Sequence, residues 1–243
     1  MCGIAGILLA PDAADTNALR AIGPMTMALR HRGPDGEAFW MSREAGIAFG
    51  HRRLAIVDLS EAGRQPMHSA SGRYVITFNG EIYNFRDLRR ELEGAGHHFR
   101  GTSDTEVMLC AIESWGLEAA LARFAGMFAF GLWDLKNRTL HLARDRMGKK
   151  PLYVASTREA LVFASELKAI TCFPGFAPEL DVDAAVFSSS VGPVAPTPFN
   201  RILSRFPSSV TFLSPDAEED NDAVEVSPFP SLLVVIAFLP LVS

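Results

Sequence analysis

The order in which apolar runs follow one another constrains this chain more than any single residue does. Short apolar segments suited to strands recur at Gly3–Leu9, Ile47–Val57, Tyr74–Phe78, Met127–Trp133, Thr139–Ala143, Leu152–Ala155 and Ala160–Ala164. Helical spacing is found at Asn17–Leu29, Phe85–Glu93, Thr105–Trp115 and Leu117–Phe124. In the second of these helices Phe85, Leu88 and Leu92 share one face, and Gly94 and Gly96 provide the stop. Strands come in consecutive runs and helices in clusters. That order does not build the right-handed βαβ units of a parallel sheet, and it predicts an α+β fold with antiparallel sheets.

From about residue 187 the pattern changes. Ser188-Ser189-Ser190 and five prolines between Pro193 and Pro215 lead into an acidic run and an uncharged end. All 23 Lys and Arg lie at or before Arg205, and six acids (Asp216, Glu218, Glu219, Asp220, Asp222, Glu225) follow it. The body is therefore near neutral and the tail acidic. Nucleic acid is not expected as a partner, because phosphate binding needs a concentrated basic face. The uncharged stretch Val226–Ser243 contains three prolines, and its apolar centre, Leu232–Leu239, is too short to span a bilayer. It reads as a core strand or a disordered end, and 187–243 as poorly organised. The N-terminus lacks the basic leader of a signal peptide. Three cysteines (Cys2, Cys110, Cys172) without a C-x-x-C pair suggest neither a disulfide framework nor a cysteine zinc site, which fits a reducing, cytoplasmic setting.

Chemistry is concentrated at the start. Removing Met1 from Met1-Cys2-Gly3 leaves Cys2 with a thiol and a free α-amine. An α-amine titrates at about 7.7–8, close to the ideal for a general base at neutral pH, so one residue could supply both nucleophile and base. A small buried hydrophobe is the plainer reading of Cys2 alone. Asn79-Gly80 after a strand is the commonest tight-turn signal. Ser103-x-x-Glu106 has the form of a capping box, with Asp104 favouring the helix dipole. His31, His51 and His97-His98 have no partners at metal-ligand spacing and read as surface or structural, so no metal site is expected. Cys110 reads as a core residue on a helix. Gly148-Lys149-Lys150 lacks the flanking residues of a phosphate loop.

Eight segments in register carry a resemblance. They are Arg30–Asp35 (RHRGPD), Gly50–Asp58 (GHRRLAIVD), Asn79–Asn84 (NGEIYN), Ser103–Val107 (SDTEV), Gly126–Phe130 (GMFAF), Ala143–Arg146 (ARDR), Pro151–Tyr153 (PLY) and Phe163–Ala169 (FASELKA). Together with Cys2 they resemble the glutaminase domain of the class II, N-terminal-nucleophile amidotransferases, and most closely the glutamine-hydrolysing asparagine synthetases. The resemblance covers about residues 2–170. It implies a four-layer αββα sandwich over residues 2–186, with Cys2 as nucleophile and Asn79 and Gly80 as oxyanion hole. It further implies that L-glutamine is held by Arg53 at its carboxylate, by Asp104 at its ammonium, and by Leu54, Ala55, Ile56, Val57 and Glu81 lining the pocket. Assignment to another amidotransferase branch, or to a non-catalytic remnant that binds glutamine or a partner, remains open at this point.

The resemblance stops before a synthetase domain. Val194–Phe199 and Arg205–Ser209 are faint echoes of the family's connecting loop, and no Ser-Gly-Gly-x-Asp-Ser motif occurs in the 243 residues. ATP and Mg²⁺ are therefore expected only with a missing or separate synthetase domain, and no cofactor is expected in this chain. Assembly as a homo-oligomer is not readable from sequence.

Overall fold

In order along the chain the strands are β1 (Gly3–Leu9), β2 (Gly36–Ser42), β3 (Ile47–Arg53), β4 (Met67–His68), β5 (Tyr74–Ile82), β6 (Gly126–Asp134), β7 (Thr139–Arg144), β8 (Tyr153–Ser156), β9 (Ala160–Ala164), β10 (Val210–Leu213) and β11 (Leu232–Val235). The helices are α1 (Ile22–Ala28), α2 (Phe85–Gly94), α3 (Asp104–Trp115), α4 (Leu117–Arg123) and α5 (Leu167–Ile170). The computed structural model describes residues 1–11, 13, 16–55 and 60–176, and the backbone of β10 and β11. The other residues of the 187–243 region, whose organisation the sequence questions, lie outside the described residues.

One sheet has the order β11-β8-β9-β1-β3-β2 and the other β10-β7-β6-β5-β4. Every pairing is antiparallel except β10 with β7. Strand parity explains how the layers form. In β1, Ile4 and Leu8 enter the core between the sheets, and Ala5, Ile7 and Leu9 face α1 and α5. In β5, Val75 faces the inter-sheet core, and Ile76 and Phe78 pack against α2, α3 and α4. Both faces of these strands are buried, so they read as unbroken apolar runs. The result is helix, sheet, sheet, helix. At its centre the Phe163 ring fills the space left by Gly6 and Gly131, where an added Cβ would lie 2.1 and 2.4 Å from the ring. Among the described residues no helix is long and apolar enough to cross a membrane.

Three sequence expectations need correction, and one strand carries no sequence signal. Asn79-Gly80 is not a turn: β5 runs on to Ile82, with Asn79 opposite Ala129 and Gly80 opposite Phe128. The partner strand β6 supplies a ladder there, and a tertiary pairing overrides a local turn preference. The expected helix Asn17–Leu29 is a 3₁₀ turn (Thr16–Ala21) followed by α1. Pro24 has no N–H to give to the carbonyl four residues back, so it is tolerated only in a first helical turn, and the helix restarts before it. The strand expected to reach Val57 ends at Arg53, and Ile56 and Val57 lie outside the described residues. The edge strand β2 went unread because it is half-exposed along most of its length and shows no alternation.

Candidate active site

The apolar inter-sheet faces turn polar at one end of the gap. Cys2 continues the Ile4–Leu8 face of β1, His51 and Arg53 continue the Ile47–Phe49 face of β3, and Asn79 continues the Val75–Thr77 face of β5. Thr77 Oγ1 donates to Gly50 O at 3.2 Å and His51 Nε2 donates to Phe78 O at 3.1 Å, which fixes the two sheets against each other there. These side chains border a cleft of about 160 Å³ with Leu54, Ala55, Gln65, Gly80, Glu81, Asp104 and Lys150. That is below the roughly 300–1,000 Å³ of drug-sized sites and suits a single amino acid.

Cys2 is held on three sides. Leu54 N–H donates to its Sγ at 3.4 Å, and the thiol faces Leu54 O at 3.7 Å. Arg32 Nε donates to Cys2 O at 3.0 Å. The next residue but one is clamped by Ser165, whose Oγ accepts from Ile4 N at 3.0 Å and whose N–H donates to Ile4 O at 2.9 Å. Arg32 is braced in turn by Glu166 at 2.9 Å. Burial opposes ionisation of Glu166, yet hydrogen bonds from Arg32, His31 and Lys168 outweigh it and lower its carboxyl to about 2. Gly33 makes the close approach possible, since a Cβ there would lie 2.4 Å from the Arg52 carbonyl carbon. Burial pushes the Cys2 thiol up, against the opposing pull of the Leu54 N–H, the N-terminal charge and Arg53. A thiol in that state needs a base to become a nucleophile.

Across the cleft, β5 presents two donors. Beyond β4 no described strand covers its outer edge, and alternate N–H groups point to it. Phe78 N–H is taken by Gln65 Oε1 at 2.7 Å and Ile82 N–H by Asp104 Oδ2 at 3.1 Å. Gly80 N–H lies between them on the same edge. Phe128, opposite Gly80, turns its own N–H and C=O to Asp145, so the Gly80 N–H is not used in the ladder. A Cβ on Gly80 would lie 2.4 Å from Met127 O and 2.7 Å from Phe128 Cα, so only glycine fits. Asn79 is buried, and its Nδ2 has no hydrogen-bond partner among the described residues. A buried amide left unpaired costs about 1–3 kcal/mol, so its presence here points to a ligand atom.

Two charges flank these donors. Arg53 borders the cleft and donates from Nη1 to Ser60 O at 3.0 Å. Asp104 is the first residue of α3, whose Ser103 cap accepts from Thr105 N at 3.0 Å. The capping box is only half formed, because Glu106 turns away to accept from Arg100 N and Gly101 N at 2.8 and 2.9 Å. Burial pushes the Asp104 carboxyl up, while the Ile82 and Thr105 N–H groups pull it back. His51 is fully buried, and desolvation lowers it to about 4, so it is neutral at pH 7.

The structure thus brings Cys2, Arg53, Leu54, Ala55, Asn79, Gly80, Glu81 and Asp104 to one cleft. Cys110 is half-buried against the α2–α4 core, as expected of a core residue. His51 is no surface residue. The sequence gives no site signal for it or for Gln65, Arg32, Ser165 and Lys150, although four of the five lie in segments quoted above. Their contacts cross between elements, and spacing does not show this. Among the described residues no group of three His, Cys, Asp or Glu could hold a metal ion.

A half-buried thiol at the head of β1 and an orphan amide on β5 thus border one inter-sheet cleft. The glutamine amidotransferase domain family model matches residues 1–221, and the chain belongs to that family. It is 44% identical over 159 residues to asparagine synthetase [glutamine-hydrolyzing] 3 of Bacillus subtilis, covering 65% of this chain and 25% of that protein. It is 38% identical over 182 residues to asparagine synthetase [glutamine-hydrolyzing] 3 of Arabidopsis thaliana, covering 72% and 30%. The chain therefore spans about a quarter of the length of such relatives. The fold is shared with the glutamine phosphoribosylpyrophosphate amidotransferase of B. subtilis, with a TM-score of 0.58 at 23% identity over 71% of this chain and 43% of that one.

Proposed function

We propose that this chain is the glutaminase part of an asparagine synthetase and hydrolyses L-glutamine to glutamate and ammonia. The orphan Asn79 amide, which shares the cleft with Cys2, carries the reading: it is a preformed donor with no partner among the described residues, placed where a substrate oxygen would arrive. Once Met1 is removed, the Cys2 α-amine takes the thiol proton and Sγ attacks the carboxamide carbon. The oxygen that becomes negative is met by Asn79 Nδ2 and Gly80 N–H, whose value lies in being in place beforehand. The α-ammonium returns its proton to the departing nitrogen, ammonia leaves, and water cleaves the thioester with the amine again as base. Arg53 holds the α-carboxylate through its planar fork of donors. Asp104, with Glu81 beside it, holds the α-ammonium.

The glutaminase unit is residues 2–186 and works in the cytoplasm without a cofactor. ATP and Mg²⁺ act on aspartate in a synthetase domain that these residues do not contain. The test is ammonia release from glutamine by protein whose Cys2 N-terminus is verified by mass. Cys2→Ala should abolish it, and uncleaved Met1 should silence it with the thiol present. Activity above about a thousandth of wild type in Cys2→Ala would remove Cys2 as nucleophile. Asparagine formation from aspartate, ATP and ammonia by the pure chain would overturn the domain assignment.

A further inference from the structure

Lys150 is a lysine only 4% exposed that borders the cleft. Its backbone is pinned. Asp145 accepts from Lys149 N at 2.9 Å and Lys150 N at 3.1 Å, and Arg144 Nε donates to Lys150 O at 2.7 Å. This loop aims the ammonium at the N-terminus, where it donates to Met1 Sδ at 3.1 Å. A thioether is a weak acceptor, and a buried ammonium is costly to keep for so little. The sulfur is five bonds from the Cys2 nitrogen. Removal of Met1 takes that acceptor away and leaves the Lys150 ammonium on the cleft it shares with Cys2, within electrostatic reach of that residue.

We propose that Lys150 is a positioning residue whose buried charge keeps the Cys2 α-amine in its free-base form at neutral pH. The proposal rests on the reading of that amine as the general base. Among the described residues the other charges at this end of the gap have counterparts of their own. Arg32 is paired with Glu166. In the proposed complex, Arg53 meets the glutamine carboxylate, and Asp104 and Glu81 meet its ammonium. Asp145 lies beside Arg144 and accepts from the N–H groups of Phe128, Lys149 and Lys150. Lys150 shares the cleft with the amine, and a like charge there disfavours the amine's protonation. Burial, with Arg32, also lowers Lys150 itself, while Cys2, Asp145 and Glu81 act the other way.

The experiment uses Met1-free protein, ¹⁵N-labelled at cysteine, as wild type, Lys150→Met, Lys150→Gln and Lys150→Arg. The α-amine is titrated by its nitrogen shift, and kcat/KM for glutamine is measured against pH. In both neutral variants the amine midpoint should rise by about one pH unit and the acidic limb should move with it, and Lys150→Arg should restore both. At pH 7 the neutral variants should lose about five-fold in kcat/KM, the fall in free base that such a shift produces. An amine midpoint unmoved in both folded neutral variants would overturn the proposal. A midpoint that moves while the acidic limb stays in place would support the Lys150 contact and instead refute the amine as base.

Discussion

Acid should weaken this fold through His51, by an amount the structure allows to be worked out. His51 is held near 4 in the folded protein by burial, against about 6.5 in an unfolded chain. As pH falls below about 6.5 the unfolded state takes up a proton that the native state refuses, so stability is lost until about pH 4 and then levels off. At pH 4.5 the loss relative to pH 8 comes to about 2.5 kcal/mol. His51→Gln keeps a donor toward Phe78 O and removes the titration. The assay is urea unfolding of both proteins at pH 8 and pH 4.5, read as a double difference. Carboxylates such as Glu166, held at about 2, contribute alike to both proteins and cancel. Wild type should lose about 2–3 kcal/mol more than His51→Gln between the two pH values. Equal losses in the two proteins would refute the reasoning.

Removing the orphan donor with Asn79→Ala should lower kcat for ammonia release by about 10²–10³ with little change in KM, checked by steady-state kinetics. Stability should hardly change, since Nδ2 bonds no described residue. Arg53→Ala and Asp104→Asn should each raise KM for glutamine, by about 10–150-fold for a charged hydrogen bond. Unchanged KM in both would misplace the pocket. Gly80→Ala forces a methyl against backbone atoms at 2.4 and 2.7 Å that have no side-chain freedom to yield. It should lower the denaturation midpoint by at least the cost of overpacking, about 1–3 kcal/mol, and disturb the second oxyanion donor. A midpoint equal to wild type would show that β5 and β6 separate easily there.

What the sequence by itself determined was mostly local. The apolar runs of β1, β6 and β9 and the helical spacing of Leu88 and Leu92 mark elements whose boundaries fall within a few residues of the structure. Burial on the elements' inner faces writes that periodicity directly into the chain. Cys2 suggested its chemistry by carrying a thiol and an amine on one residue, but alone it read more plainly as a buried hydrophobe, and the motifs in register with it reversed that reading. Asn79, Gly80, Arg53 and Asp104 emerged from the family resemblance, while the local signals of Asn79-Gly80 and Asp104 pointed to a turn and a helix cap. Only the tertiary structure decided that Asn79-Gly80 lies inside a strand, because β6 pairs with the two residues from 50 and 48 positions further along the chain. The same holds for His51, which spans the sheets to Phe78, and for Lys150, which reaches Met1 from the other end of the domain. A desolvated charge, an unpaired amide and an open strand edge are properties of how distant segments meet. Spacing along a chain records which face a residue takes, and the partner it meets there is set by packing.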